Sequence, residues 1–116
     1  MNVEELTTVK EFEALYIADK DQIIADGYCG DLLSDVMANA PASCVLMTIQ
    51  AHKNTIAVAS LVGISALVIC NGRTVAPDML EAAREEEISL FTTDLNHFEA
   101  AAKVLALLGG GDAGTR

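Results

Sequence analysis

The sequence predicts an α/β protein: a single-domain layered fold with a mainly parallel sheet built from consecutive strand–helix units. Three observations carry that prediction. Short apolar runs rich in branched residues, "SCVLMTI", "ALVIC" and "ISLFTT", appear from Ser43 onward, as strands buried on both faces require. Each run is followed by a polar break and then by a helical pattern. The runs recur at about 22 residues, the length of one strand, one helix and two short loops. Consecutive units of that kind are joined by right-handed crossovers, and the sheet they make is parallel.

The elements follow in order. Thr8 is placed to cap a short helix over Val9–Leu15, and "YIADKDQIIADGYCG" reads as one or two short strands with turns. "GDLLSDVMANAP" reads as a helix capped by Asp31 and stopped before Pro41, because the residue preceding a proline avoids helical geometry. Helices are then expected over His52–Leu61, Pro77–Glu86 and Asp94–Leu108. Pro77 suits a first turn, where its missing N–H is not needed. Thr93 or Asp94 is placed to cap the last helix with help from Glu99, and Phe98, Ala101, Ala102, Leu105 and Leu108 form its core-facing stripe. The domain is expected to span residues 1–108 without a linker, followed by a flexible glycine-rich tail, "GGGDAGTR", at 109–116.

Composition narrows the function. The chain is 52% hydrophobic and 21% charged, enough to bury a core, and with aromatics at 4% that core is aliphatic. Lys and Arg number 7 against 17 Asp and Glu, a net charge of −10. So acidic a surface repels phosphate backbones and anionic lipids, so no nucleic-acid or membrane partner is expected. A small anion remains possible, since helix N-termini bind anions against an adverse net charge. Cys29, Cys44 and Cys70 contain no CxxC pair, which argues against zinc or iron–sulfur ligation. Cys44 and Cys70 lie in apolar runs as small buried hydrophobes. Reduced thiols, an acidic "MNVEEL" start and no apolar stretch of bilayer length point to the cytoplasm.

In a parallel open sheet, ligands bind at the carboxyl ends of the strands. The segments expected to meet there are "QAHKN", "NGR", "TTD" and Gly30-Asp31. Candidate ligand-binding residues are therefore Asp31, His52, Lys53, Asn54, Asn71, Gly72, Arg73, Thr92, Thr93 and Asp94. Lys53 and Arg73 are the cations near this cleft, and a guanidinium grips a carboxylate or phosphate in two-pronged fashion. Asn71-Gly72 is a turn pair tolerant of positive φ. His52 has no HExxH or GxSxG context, so neither metal ligation nor nucleophile activation is expected of it, and His97 reads as structural. No catalytic residue, metal ligand or cofactor is assigned. An acid–base enzyme would have to rest on His52 with Asp31 or Asp94. The sequence has neither GxxxxGK[ST] nor GxGxxG, which disfavours a kinase or a dinucleotide dehydrogenase.

Taken together, "GYCGDLLSDVMANA", "TIQAHKNTIAVASLVGISALVICNGR", "PDMLEAAREEEISLFTT" and "FEAAAKV" resemble the DRTGG domain family over Thr8 to Leu108. The similarity is strongest to short stand-alone members encoded beside iron–iron hydrogenase and redox-sensor genes. Such domains are also similar to the N-terminal domain of bacterial HPr kinase/phosphorylase. The resemblance implies an α/β fold, frequent homodimerisation, and a regulatory or ligand-sensing role without established catalysis, with a redox enzyme as a possible partner. Where the family has Asp-Arg, this chain has Ala51-His52-Lys53-Asn54; where it has Thr-Gly-Gly, this chain has Cys70-Asn71-Gly72-Arg73. Only Gly72 carries over, and basic charge has moved from one loop to its neighbour. Two functions compete: a module that senses a small metabolite or nucleotide at the strand ends, and a homodimeric interaction adaptor with no small ligand.

Overall fold

Side chains alternate across the central strands and divide the core into two halves, one on each face of a sheet. In the computed structural model, which describes residues 1–109, the order is α1 (Val3–Leu6), β1 (Phe12–Tyr16), β2 (Asp26–Cys29), α2 (Leu33–Asn39) and β3 (Cys44–Thr48). It continues with α3 (Lys53–Val62), β4 (Ala66–Ile69), α4 (Pro77–Glu86), β5 (Ser89–Thr93) and α5 (His97–Leu107). The five-stranded sheet has the order β1-β5-β4-β3-β2. Strands β2 to β5 pair in parallel, and β1 pairs antiparallel with β5. Val45, Met47, Val68 and Phe91 point to the face covered by α1 and α5. Leu46, Leu67, Ile69 and Leu90 point to the face covered by α2, α3 and α4. The result is the layered α/β domain that the repeating strand–helix units predict.

The three core strands and their helices stand where the sequence places them, and α4 matches its expected span from Pro77 to Glu86. The first forty residues differ. No helix covers Val9–Leu15: the N-terminal helix is α1, closed by a reciprocal capping box between Asn2 and Glu5. Thr8 donates its hydroxyl to Glu5 O at the end of that helix instead of starting another. Phe12–Tyr16 is a strand because β5 would otherwise carry an unpaired row of backbone groups on that side.

Two caps also differ. Leu32, not Asp31, occupies the N-cap position of α2 and supplies no side-chain bond, because the Asp31 carboxylate is turned toward the next loop. Asn96, rather than Thr93 or Asp94, caps α5, again as a capping box with Glu99. That start rotates the buried stripe of α5 onto Ala100 and Val104. Ala101 and Leu108 pack at its border, whereas Ala102 and Leu105 are exposed and Phe98 is 84% exposed.

Cys44 and Cys70 are buried, and that burial pushes both thiols up to about 11. Among the described residues, no helix is long and apolar enough to cross a membrane. Of the tail expected to be flexible, residues 110–116 lie outside the described residues.

The two faces of α5 and the sheet centre give a direct check. Leu67→Ala, at a fully buried position, is expected to cost about 2–5 kcal/mol in urea denaturation. Phe98→Ala is expected to stay within about 0.5 kcal/mol of the parent, despite removing the largest side chain of the stripe read from sequence.

Candidate functional site

Because β2 to β5 run parallel, their carboxyl ends share one edge of the sheet. Antiparallel β1 brings its amino end to the same edge, with Phe12 opposite Thr93 and Glu13 opposite Thr92. The loops after β2, β3, β4 and β5 therefore converge, and they are tied together in two clusters.

Asp31 anchors the first. Its Oδ1 accepts hydrogen bonds from Ile49 N at 2.8 Å, Thr48 Oγ1 at 3.0 Å and His97 Nε2 at 2.9 Å. Gln50 adds a bond from its side-chain amide to Asp31 O at 2.8 Å. One carboxylate thus joins the loops after β2 and β3 to the first turn of α5. Burial pulls the Asp31 pKa upward most strongly, yet the bonds donated by Ile49, His97 and Thr48, with the field of His97, outweigh it together. The net effect holds the carboxyl below its usual range. An ionised carboxylate only accepts, so His97 Nε2 carries the proton and donates.

The second cluster surrounds Asn71-Gly72-Arg73. Asn71 and Gly72 both adopt left-handed backbone, with φ of 62° and 63°. Their N–H groups donate to Leu95 O and Thr93 O at 2.9 Å each, fastening the turn to the exit of β5. A Cβ at Gly72 would lie 3.0 Å from Asp94 Oδ1, so only glycine lets that carboxylate sit over the turn without displacement. Gly72, Arg73, Thr92, Thr93 and Asp94, with Glu11 and Glu13 from the start of β1, line a hollow of about 150 Å³.

The structure thus gathers five of the ten sequence candidates into one hollow: Gly72, Arg73, Thr92, Thr93 and Asp94. Asn71 supplies the turn beneath them, and Asp31 belongs to the neighbouring carboxylate cluster. His52, Lys53 and Asn54 do not line the hollow. His52 is the N-cap of α3, where its Nδ1 accepts from Asn54 N at 3.0 Å, and Lys53 begins the helix as an exposed residue without an ion pair among the described residues.

The histidine that meets an acid is therefore His97 with Asp31, not His52. His97, read from the sequence as structural, braces these loops through Asp31, whereas Glu11 and Glu13 were not among the sequence candidates. No local signal marked the glutamates, because Glu13 lies on, and Glu11 just before, a strand that is specified by its pairing. Cys29 is exposed, but its thiol is partly covered and is pushed up by burial and then by the charge of Asp31. Among the described residues, no group of three or more His, Cys, Asp or Glu could hold a metal ion.

Two outcomes follow from this geometry. Gly72→Ala is expected to cost about 1–2 kcal/mol, the penalty of left-handed backbone for a residue with a Cβ, read as a shift of the urea midpoint. Asp31 has a lowered pKa in the fold, so its contribution is present above the unfolded value of about 3.9 and is lost as pH falls through the folded one. The stability gap between the parent and Asp31→Asn is thus expected to be positive at neutral pH and to close in acid below about pH 4. A gap that widened on acidification would contradict the carboxylate cluster.

No family model matches the chain, and no curated protein matches it. Among solved structures, the fold is similar to the CBS and DRTGG domains of the regulatory region of Clostridium perfringens pyrophosphatase, complexed with the activator diadenosine tetraphosphate. The TM-score is 0.71 at 17% sequence identity, over 88% of this chain and 44% of that one, so this chain spans less than half the length of its neighbour. A likeness at that identity shows a shared fold: this chain folds as an α/β domain like the one in that regulatory region.

Proposed function

We propose that this protein is a non-catalytic, DRTGG-like regulatory module that senses a small metabolite or nucleotide at the carboxyl ends of its parallel strands. The observation that carries the proposal is the hollow at that edge, where Arg73 and Asp94 stand together on loops braced by backbone hydrogen bonds. The pyrophosphatase region of the same fold is regulatory and was captured with an activator nucleotide, which supports the choice of class. The resemblance of the sequence blocks to stand-alone members beside hydrogenase genes supports a place in hydrogenase or redox metabolism in the cytoplasm. The Asp31–His97 pair has the elements of an acid–base dyad, but Asp31 Oδ1 is already engaged by Ile49 and Thr48, which suits bracing of loops better than proton transfer.

A second function, the homodimeric adaptor without a small ligand, is favoured by a specific observation. Ile23, Leu32, Met37, Leu61 and Phe98 are large hydrophobic side chains at 49–84% exposure. Of these, Leu32, Met37 and Leu61 belong to the α2 and α3 side of the sheet, the side that a partner, either a second copy or a redox enzyme, would cover.

Thermal unfolding against adenine and guanine nucleotides, flavins and nicotinamide cofactors, with sedimentation on the same sample, separates the two. A ligand at a hundred times its Kd is expected to add about 2.7 kcal/mol, a rise of several degrees, and Arg73→Ala is expected to abolish it without lowering the unliganded Tm. A stable dimer with no response to any small molecule would favour the adaptor.

A further inference from the structure

The charges around the hollow constrain what can enter it. Glu11 and Glu13 approach from the start of β1, Asp94 from the end of β5, and Arg73 from the turn after β4. That sets three carboxylates against one guanidinium. Lys103 of α5 lies 3.5 Å from Glu11 and offsets one of the three. Glu13 and Asp94 have no ion-pair partner among the described residues, and neither has Arg73. Opposite charges therefore stand around one cavity without closing on each other. The turn explains part of this: the bonds from Asn71 N to Leu95 O and from Gly72 N to Thr93 O fix where the backbone of Arg73 begins, beside Asp94.

We propose that this hollow binds a small zwitterion of amino-acid type, its carboxylate on Arg73 and its ammonium between Glu13 and Asp94. The inference rests on the ligand-sensing function proposed above and names the class of molecule sensed. The hollow, of about 150 Å³, has room for a compact molecule of amino-acid size. A polyphosphate would add several negative charges beside unpaired Glu13 and Asp94, with a single arginine to receive them. A simple amine would leave Arg73 unused, and a simple acid would leave both unpaired carboxylates unused. The hydroxyl of Thr92, on the same sheet face as Glu13, adds a neutral donor and acceptor to the lining.

The test is thermal unfolding of the full chain with the common amino acids, each at millimolar concentration, beside ATP, AMP and GTP. For any amino acid that acts, its decarboxylated amine and its deaminated acid are run in parallel. At least one amino acid is expected to raise Tm in a saturable manner while both of its truncated counterparts fail. Arg73→Gln and Glu13→Gln, both at exposed positions, are each expected to weaken the apparent Kd about ten- to hundredfold. Their unliganded Tm is expected to match the parent. Binding that persists in both variants, or that the amine or acid alone reproduces, would overturn the zwitterion. A response to a nucleotide that needs Arg73, with none to amino acids, would overturn it while leaving the sensing function standing. No response to any compound would overturn both.

Discussion

Parallel pairing of β2 through β5 is the constraint from which the remaining features follow. Strands joined in parallel cannot be linked by tight turns, so each connection must cross back over a face of the sheet, and here each crossover contains a helix. Every strand then ends at the same edge, and the loops that start the crossovers are crowded together there. The backbone groups at those ends need partners that the sheet no longer supplies. Asp31 meets part of that need for the loop after β3, and the Asn71-Gly72 turn meets it for the exit of β5. The carboxyl edge is thus rigid for structural reasons before any ligand is considered. Rigidity of that kind lowers the ordering cost of binding.

The edge strand β1 adds a wall to the hollow that the parallel topology leaves at this edge. By pairing antiparallel with β5, it delivers Glu11 and Glu13 to the edge where the parallel strands finish. The chain is strongly acidic, yet its charge is not spread without pattern. Arg73 sits among carboxylates, Lys103 faces Glu11, and the Asp31 carboxylate is held ionised by its donors. Basic charge is scarce, so the position of Arg73, without an ion pair among the described residues, carries information. A chain with −10 overall can still hold a mixed-charge hollow.

How much of this was legible in the sequence depended on whether the signal was local. The strands at "CVLMT", "ALVI" and "SLFTT" are buried on both faces, so their apolar runs are unambiguous, and Pro77 marks the start of α4 directly. Gly72, Arg73, Thr92, Thr93 and Asp94 could be placed together because topology alone sends them to one edge. The N-terminal segment was different. "FEALY" is compatible with helix or strand, and only the free edge of β5 decides between them. Without that strand, neither Glu11 nor Glu13 could be assigned to the site. Asp31 precedes a helix and looks like a cap, but its donors come from residues distant in sequence. In α5, three consecutive alanines let the apolar stripe be drawn on either side, and the capping box at Asn96 and Glu99 settles it.

The central claim is that the carboxyl edge is where this protein meets a small molecule. Amide chemical-shift mapping by NMR on the labelled chain, titrated with whichever compound raises its Tm, tests that claim most directly. The account predicts perturbations concentrated at residues 11–13, 71–73 and 92–94, weakening across the sheet toward Asp26 and Cys44 at the opposite edge. Perturbations centred instead on α5 and the β2 edge, around Gly27, Met47 and Leu105, with the Arg73 loop unmoved, would contradict it.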